Sequence, residues 1–126
     1  MDARPKLLWI DGGAAFAAGM IVLLSCGWLA KWYELPRALI LTIGLINLAY
    51  AFFSLSLAAR KRRPKNLIAF LVIANLSWAV VCLALGFIWR ETVTFFGFIH
   101  LIGEAIFVAG LASSEWRWRA LLLTAK

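Results

Sequence analysis

The sequence predicts an all-α integral membrane protein: an up-down antiparallel bundle of four transmembrane helices with both termini cytoplasmic. Composition is the first sign. The 126-residue chain is 64% hydrophobic and 15% charged, with a mean hydropathy of +0.90, whereas soluble domains are about half apolar and a quarter charged. A soluble domain this short leaves too much of its surface in water to hide so many apolar side chains. The second sign is four long apolar runs. The third is an uneven distribution of basic residues between the links.

The chain is read as one four-helix domain over 1–126, with spans at about 7–30, 37–59, 66–89 and 92–112. At about 1.5 Å per residue, each run reaches across the ~30 Å of a hydrocarbon core. The first, "LLWIDGGAAFAAGMIVLLSCGWLA", follows Pro5 and Lys6. It begins after basic residues and carries "LLSCG" around Cys26, as a lipoprotein leader does. Asp11 interrupts it, however, and it is longer than a leader's apolar core, so it is expected to stay as a span. The second and third runs follow Pro36 and Pro64, where a missing N–H costs nothing because the first helical turn has no acceptor for it. The links "KWYELP", "RKRRPKN" and "RE" are short, so successive helices are antiparallel neighbours. Barrel strands are about half as long as these runs and alternate in polarity, so a β-barrel does not fit.

Charge sets the orientation. Arg4, Lys6, Arg60, Lys61, Arg62, Arg63, Lys65, Arg117, Arg119 and Lys126 fall on one side, and only Lys31, Arg37 and Arg90 on the other. Ten against three makes the first side cytoplasmic, with a basic loop at 60–66 and a cytoplasmic tail at 113–126. Arg60, Lys61, Arg62, Arg63 and Lys65 are thus expected to set topology and touch anionic headgroups; this basic run is not read as a nucleic-acid site. Trp9, Trp28, Trp32, Tyr33, Trp89, Trp116 and Trp118 lie near span ends, where amphipathic rings settle. The expected location is a cell membrane, the inner membrane of a bacterium.

Ionisable and amide side chains inside the spans are the candidate site. In "FIHLIGEAIF", His100 and Glu104 are four residues apart and share a helix face. A charged group facing lipid at the bilayer centre costs about 3 kcal/mol or more, so Glu104 should face the interior. The second and third spans echo each other: at an offset of 28 residues Asn47 aligns with Asn75, and Tyr50 with Trp78. Adjacent spans run in opposite directions, so this is an inverted echo, of the kind that places a polar site near the midplane. Counting residues puts Glu104, His100, Asn47 and Asn75 in one middle layer, with Asp11 below it. Tyr50 and Trp78 are expected as apolar walls. The opposing reading is that the two asparagines only fasten helices, at about 0.6 kcal/mol per bond.

Gly12 and Gly19 recur at seven residues, as do Gly103 and Gly110. Small residues let backbones approach, so the first and fourth helices are expected to pack tightly, or one of them to form a dimer face. Cys26 and Cys82 both fall toward the outer side; a disulfide is conceivable, and two buried thiols is the favoured reading.

No motif for a nucleotide, a catalytic serine or a redox dithiol is present. One histidine with one glutamate supplies two metal ligands where a structural zinc needs four. The chain is therefore expected to be no enzyme and to need no cofactor or metal. Two functions fit. One is a mid-membrane polar pocket that binds or transports a small hydrophobic or amphipathic molecule, proton-coupled through Glu104. The other is a non-catalytic accessory or scaffold protein that packs on a partner membrane protein. Expected partners are the lipid bilayer, a small hydrophobic ligand, and a second copy or another membrane protein.

Overall fold

A computed structural model describes residues 6–123; Arg4, Pro5 and Lys126, used above, lie outside the described residues. The chain forms α1 (Leu7–Leu24), α2 (Cys26–Tyr33), α3 (Arg37–Ala58), α4 (Lys65–Ile88), α5 (Phe95–Arg117) and α6 (Arg119–Leu122). Four of these, α1, α3, α4 and α5, are long and apolar enough to cross a membrane. Only 28% of the apolar stretch of α1 is buried, and 33% of each of the others. The outer faces carry Leu24, Phe52, Val80, Phe87 and Ile106, all well exposed. Water would not tolerate such a surface on a monomer, and a multi-pass membrane protein is the architecture it suggests.

The helices alternate in direction. Leu7 and Leu8 of α1, Leu57 and Ala58 of α3, Ile68 and Leu71 of α4, Leu111 of α5 and Leu122 of α6 pack together at one end. This is the end that carries the arginine-rich link, called the basic end below. At the far end Val22, Cys26, Leu29, Tyr33, Leu35 and Ile40 pack with Trp89 and Val93. Within this frame α1 lies along α3 and α4 along α5. In contrast, α1 and α5 touch sparingly, and α3 and α4 do not lie along one another. The bundle is therefore two helix pairs joined at their ends.

Several boundaries differ from the sequence reading. The first span breaks at Ser25, whose backbone leaves helical geometry (φ −108°, ψ 12°) while bonding continues through Ser25 N to Ile21 O and Leu29 N to Ser25 O. Closely spaced Ser and Gly residues, here Ser25 and Gly27, are a common cause of such kinks. The fourth span starts at Phe95, not 92, because Thr94 caps it: its Oγ1 accepts from Gly97 N at 3.3 Å. The expected tail at 113–126 is helical across most of its described part. Here α5 runs on to Arg117, and α6, set off from it at Trp118, buries Leu122 completely.

Arg63 is a further correction. The sequence places it at the headgroups, yet it is 4% exposed. Its Nε donates to Leu57 O at 3.0 Å, its Nη2 to Ala58 O at 2.7 Å and its Nη1 to Leu122 O at 3.0 Å. Helix C-termini leave carbonyls without intrahelical partners, and a planar guanidinium with five N–H groups can serve two helix ends together. Arg63 thus fastens α6 to the end of α3, and its backbone N–H adds a bond to Leu123 O. Arg60, Lys61 and Lys65 are exposed.

The glycines also pack differently from expectation. A Cβ on Gly12 would meet Leu55 at 2.8 Å, and one on Gly19 would meet Leu48 at 2.9 Å and Gly44 O at 3.1 Å. Both therefore serve the α1–α3 contact rather than α5. Gly103 and Gly110 face open space. Cys26 and Cys82 are buried free thiols.

Replacing Arg63 leaves the Ala58 and Leu122 carbonyls without the donors it supplies, each worth about 1–3 kcal/mol when orphaned, while Leu57 O keeps the Arg60 N–H. Arg63→Ala should lower the melting temperature in detergent well below that of Arg60→Ala, which removes an exposed side chain. Equal melting temperatures would show that the fastening contributes nothing.

Candidate functional site

Between the two helix pairs lies a cavity of about 530 Å³, within the roughly 300–1,000 Å³ usual for small-molecule sites. The α1 wall is Ala14, Ala15 and Ala18, which repeat on one face and leave room where larger residues would close it. Apolar side chains from the other helices, among them Val81, Ile99, Phe107 and Val108, complete the wall. Besides Ser77, the polar lining comes from Asp11, Asn47, Tyr50, Asn75, Trp78, His100 and Glu104. These are the seven candidate ligand residues of the sequence reading, and the structure brings all of them to this one cavity. It does not hold them in a single layer.

The first cluster closes the cavity toward the basic end. Tyr50 donates its hydroxyl to Asp11 Oδ2 at 2.5 Å. Asn75 Nδ2 donates to the same Asp11 oxygen at 3.1 Å and to Glu115 Oε1 at 2.8 Å. Each of α1, α3, α4 and α5 contributes one of these four side chains. Asp11 and Glu115 are 2% and 0% exposed, and Glu115 Oε2 is buried with no hydrogen-bond partner. Among the described residues no cation pairs with either carboxylate.

The second cluster lies toward the far end. Trp78 Nε1 donates to Glu104 Oε1 at 3.0 Å, and His100 Nε2 lies 3.4 Å from Glu104 Oε2. The other imidazole nitrogen, Nδ1, is 2.9 Å from the Tyr33 hydroxyl. With its proton on Nε2 toward the carboxylate, the ring accepts from Tyr33 at Nδ1; a doubly protonated ring would donate to the same hydroxyl. Burial, and after it the Glu104 charge, push the Tyr33 phenol above its ordinary value, so it remains a hydroxyl at neutral pH. Tyr33 is held in place from behind. Thr94 N donates to Tyr33 O and Thr94 Oγ1 to Trp32 O, both at 2.9 Å. Gly97 lets α5 approach the Tyr33 ring, because a Cβ there would sit 2.9 Å from Tyr33 Cβ.

Asn47 lies beside Glu104, yet its buried Nδ2 makes no hydrogen bond. Tyr50 and Trp78 do more than form walls, since each donates to a carboxylate. Glu115 and Tyr33 are the members that the sequence reading missed. Glu115 falls within the tail expected at 113–126. Its position eleven residues after Glu104 is three helical turns, which returns it to the same face. Tyr33 looked like one more interfacial ring. Among the described residues no three His, Cys, Asp or Glu side chains gather as a metal site.

The two asparagines should respond oppositely to truncation. Asn75→Ala strips Asp11 and Glu115 of a shared donor, at about 1–3 kcal/mol per orphaned group. Asn47→Ala removes a buried N–H that has no partner, so stability should hold or rise. Thermal melts of both variants in one detergent check this, and equal losses would contradict it.

Comparison with protein-family models, with curated proteins and with solved structures gives no match, so the residues around the cavity carry the functional reading by themselves.

Proposed function

We propose that this is a multi-pass membrane protein with cytoplasmic termini, in the inner membrane of a bacterium, which binds a small amphipathic cation in the cavity between its two helix pairs. The observation that carries the reading is the cavity itself: about 530 Å³ of largely apolar space with a carboxylate toward each end, Asp11 and Glu104. Apolar walls take up the hydrophobic body of a ligand by excluding water. A buried carboxylate takes up its positive charge, and His100 is the single ionisable counterweight among the polar lining residues. Functional sites keep polar groups incompletely satisfied until a ligand arrives. Asn47 and Glu104 both line the cavity; Asn47 Nδ2 is buried without a hydrogen bond, and Glu104 Oε2 has only the His100 ring at 3.4 Å.

The orientation rests on the charge bias, ten basic residues against three. The basic end gathers the described members of the larger group, and aromatic rings cluster at the far end, where Trp28, Trp32 and Phe96 make tilted ring contacts in series. The accessory-protein reading needs small-residue faces turned outward. Gly12 and Gly19 are already covered by α3 and Gly103 lines the cavity, which leaves Gly110 as the outward glycine of the four, so the ligand-binding reading leads.

Tetraphenylphosphonium is a suitable probe, being a lipophilic cation without hydrogen-bond donors. Equilibrium dialysis against protein in nanodiscs should give saturable binding. Glu104→Gln should weaken it by about tenfold or more, equivalent to about 1.4 kcal/mol of lost attraction. Ala18→Phe, which fills the cavity without touching a charge, should abolish it. Absence of saturable binding in the wild type, or binding indifferent to both changes, would overturn the proposal.

A further inference from the structure

We propose that Asp11 and Glu115 form a one-proton site at the basic end of the cavity, and that this pair, rather than Glu104, exchanges a proton against the bound cation. The second half rests on the ligand-binding reading above; the first half does not.

The geometry leads there directly. Both carboxylates accept from the same amide nitrogen, so their oxygens are no farther apart than two hydrogen bonds laid end to end. The two carboxyl groups are therefore neighbours across Asn75 Nδ2. Like charges this close, out of water, are not held without a cation or a proton between them. Among the described residues, the surrounding elements supply no cation. The α3 helix presents the Tyr50 phenol and α4 the neutral Asn75 amide. Arg63, in the α3–α4 link, spends its guanidinium on the carbonyls of Leu57, Ala58 and Leu122. Arg117 lies over the Trp118 ring; Arg119 lies over Trp116 and donates to its carbonyl. Lys6 and Lys65 are exposed. Further along α5, His100 and Glu104 are engaged with each other.

The donors present are too few for two carboxylates. Tyr50 brings one hydrogen and the Asn75 amide two, against four acidic oxygens, and Glu115 Oε2 is left buried without a donor. A carboxylic acid proton shared between Glu115 and Asp11 supplies the missing donor. The two residues also differ in position. Asp11 lines the cavity, whereas Glu115 stands behind it, linked through Asn75. A cation arriving beside Asp11 replaces the proton's charge, and the proton leaves Glu115 for water at the basic end. Departure of the cation reverses the step, so the charge inside the protein is unchanged through the cycle.

Infrared spectroscopy tests the first half without any ligand. Wild-type protein in lipid at neutral pH should show a protonated-carboxyl C=O band. Glu115→Gln and Asp11→Asn should each remove it, and Glu104→Gln should leave it. Both amide variants keep an acceptor for Asn75, and a thermal melt confirms that they fold. A missing wild-type band, or one that survives both changes, overturns the one-proton site. A dye assay on tetraphenylphosphonium binding tests the second half. The wild type should release a proton as the cation binds, and Glu115→Gln should bind without release. Release that persists in Glu115→Gln overturns the exchange role. A wild type that shows the band but binds no cation overturns the ligand-binding reading and leaves the one-proton site standing.

Discussion

At the basic end, the amide of Asn75 is the point at which the two halves of the bundle meet in polar contact. The α1–α3 pair contributes Asp11 and Tyr50, the α4–α5 pair contributes Asn75 and Glu115, and one nitrogen bridges the carboxylates. In lipid no hydrophobic force draws one apolar helix to another, so packing and polar bonds must do the work. Within each pair the packing is close, helped on one side by Gly12 and Gly19 pressed on Leu55 and Leu48. Between the pairs it is not. There the joins are the leucine-rich cluster and the Asn75 junction at the basic end, and the Tyr33–His100 contact at the far end. The cavity is the space these joins leave between them.

This arrangement explains why ionisable groups sit in so apolar a chain. A pair of helices packed solely by leucine and glycine would have no reason to stop short of closing. Alanine at positions 14, 15 and 18 removes bulk on the facing side of α1, and the polar groups at each end set the spacing. A site built this way is open enough for a ligand yet tied at both ends. Its carboxylates differ in kind: Glu104 has a histidine to share its charge, while Asp11 and Glu115 have each other.

Much of this could be read from the sequence, and the misses have physical causes. The number of helices and their antiparallel order followed from run length and short links. All seven polar candidates of the spans face one cavity, because a polar group inside an apolar run has one sheltered direction to turn. Depth was harder to read. The echo of Asn47 with Asn75 and Tyr50 with Trp78 suggested matched partners, but α3 and α4 run oppositely. Moving three residues onward from Asn47 goes toward the basic end, and from Asn75 toward the far end. So Tyr50 meets Asn75 at Asp11, while Trp78 joins Glu104, beside Asn47. Glu115 and Arg63 were misplaced for a shared reason. Hydropathy and charge counts treat a charged residue near a span end as solvated, and both are instead buried, Glu115 on α5 as it runs on and Arg63 against the last carbonyls of α3 and α6. The glycine repeat gave the small-residue face of α1 but not its partner, since spacing along one helix says nothing about which neighbour fills it.

Whether the space between the helix pairs holds a ligand is the claim on which the functional account depends. Native mass spectrometry of protein extracted gently from its own membranes addresses it most directly. The account predicts a non-lipid mass retained on the wild type and missing from Ala18→Phe, in which the cavity is filled and every carboxylate is intact. A wild-type protein that always emerges without such a mass, or a mass retained equally by Ala18→Phe, would contradict it.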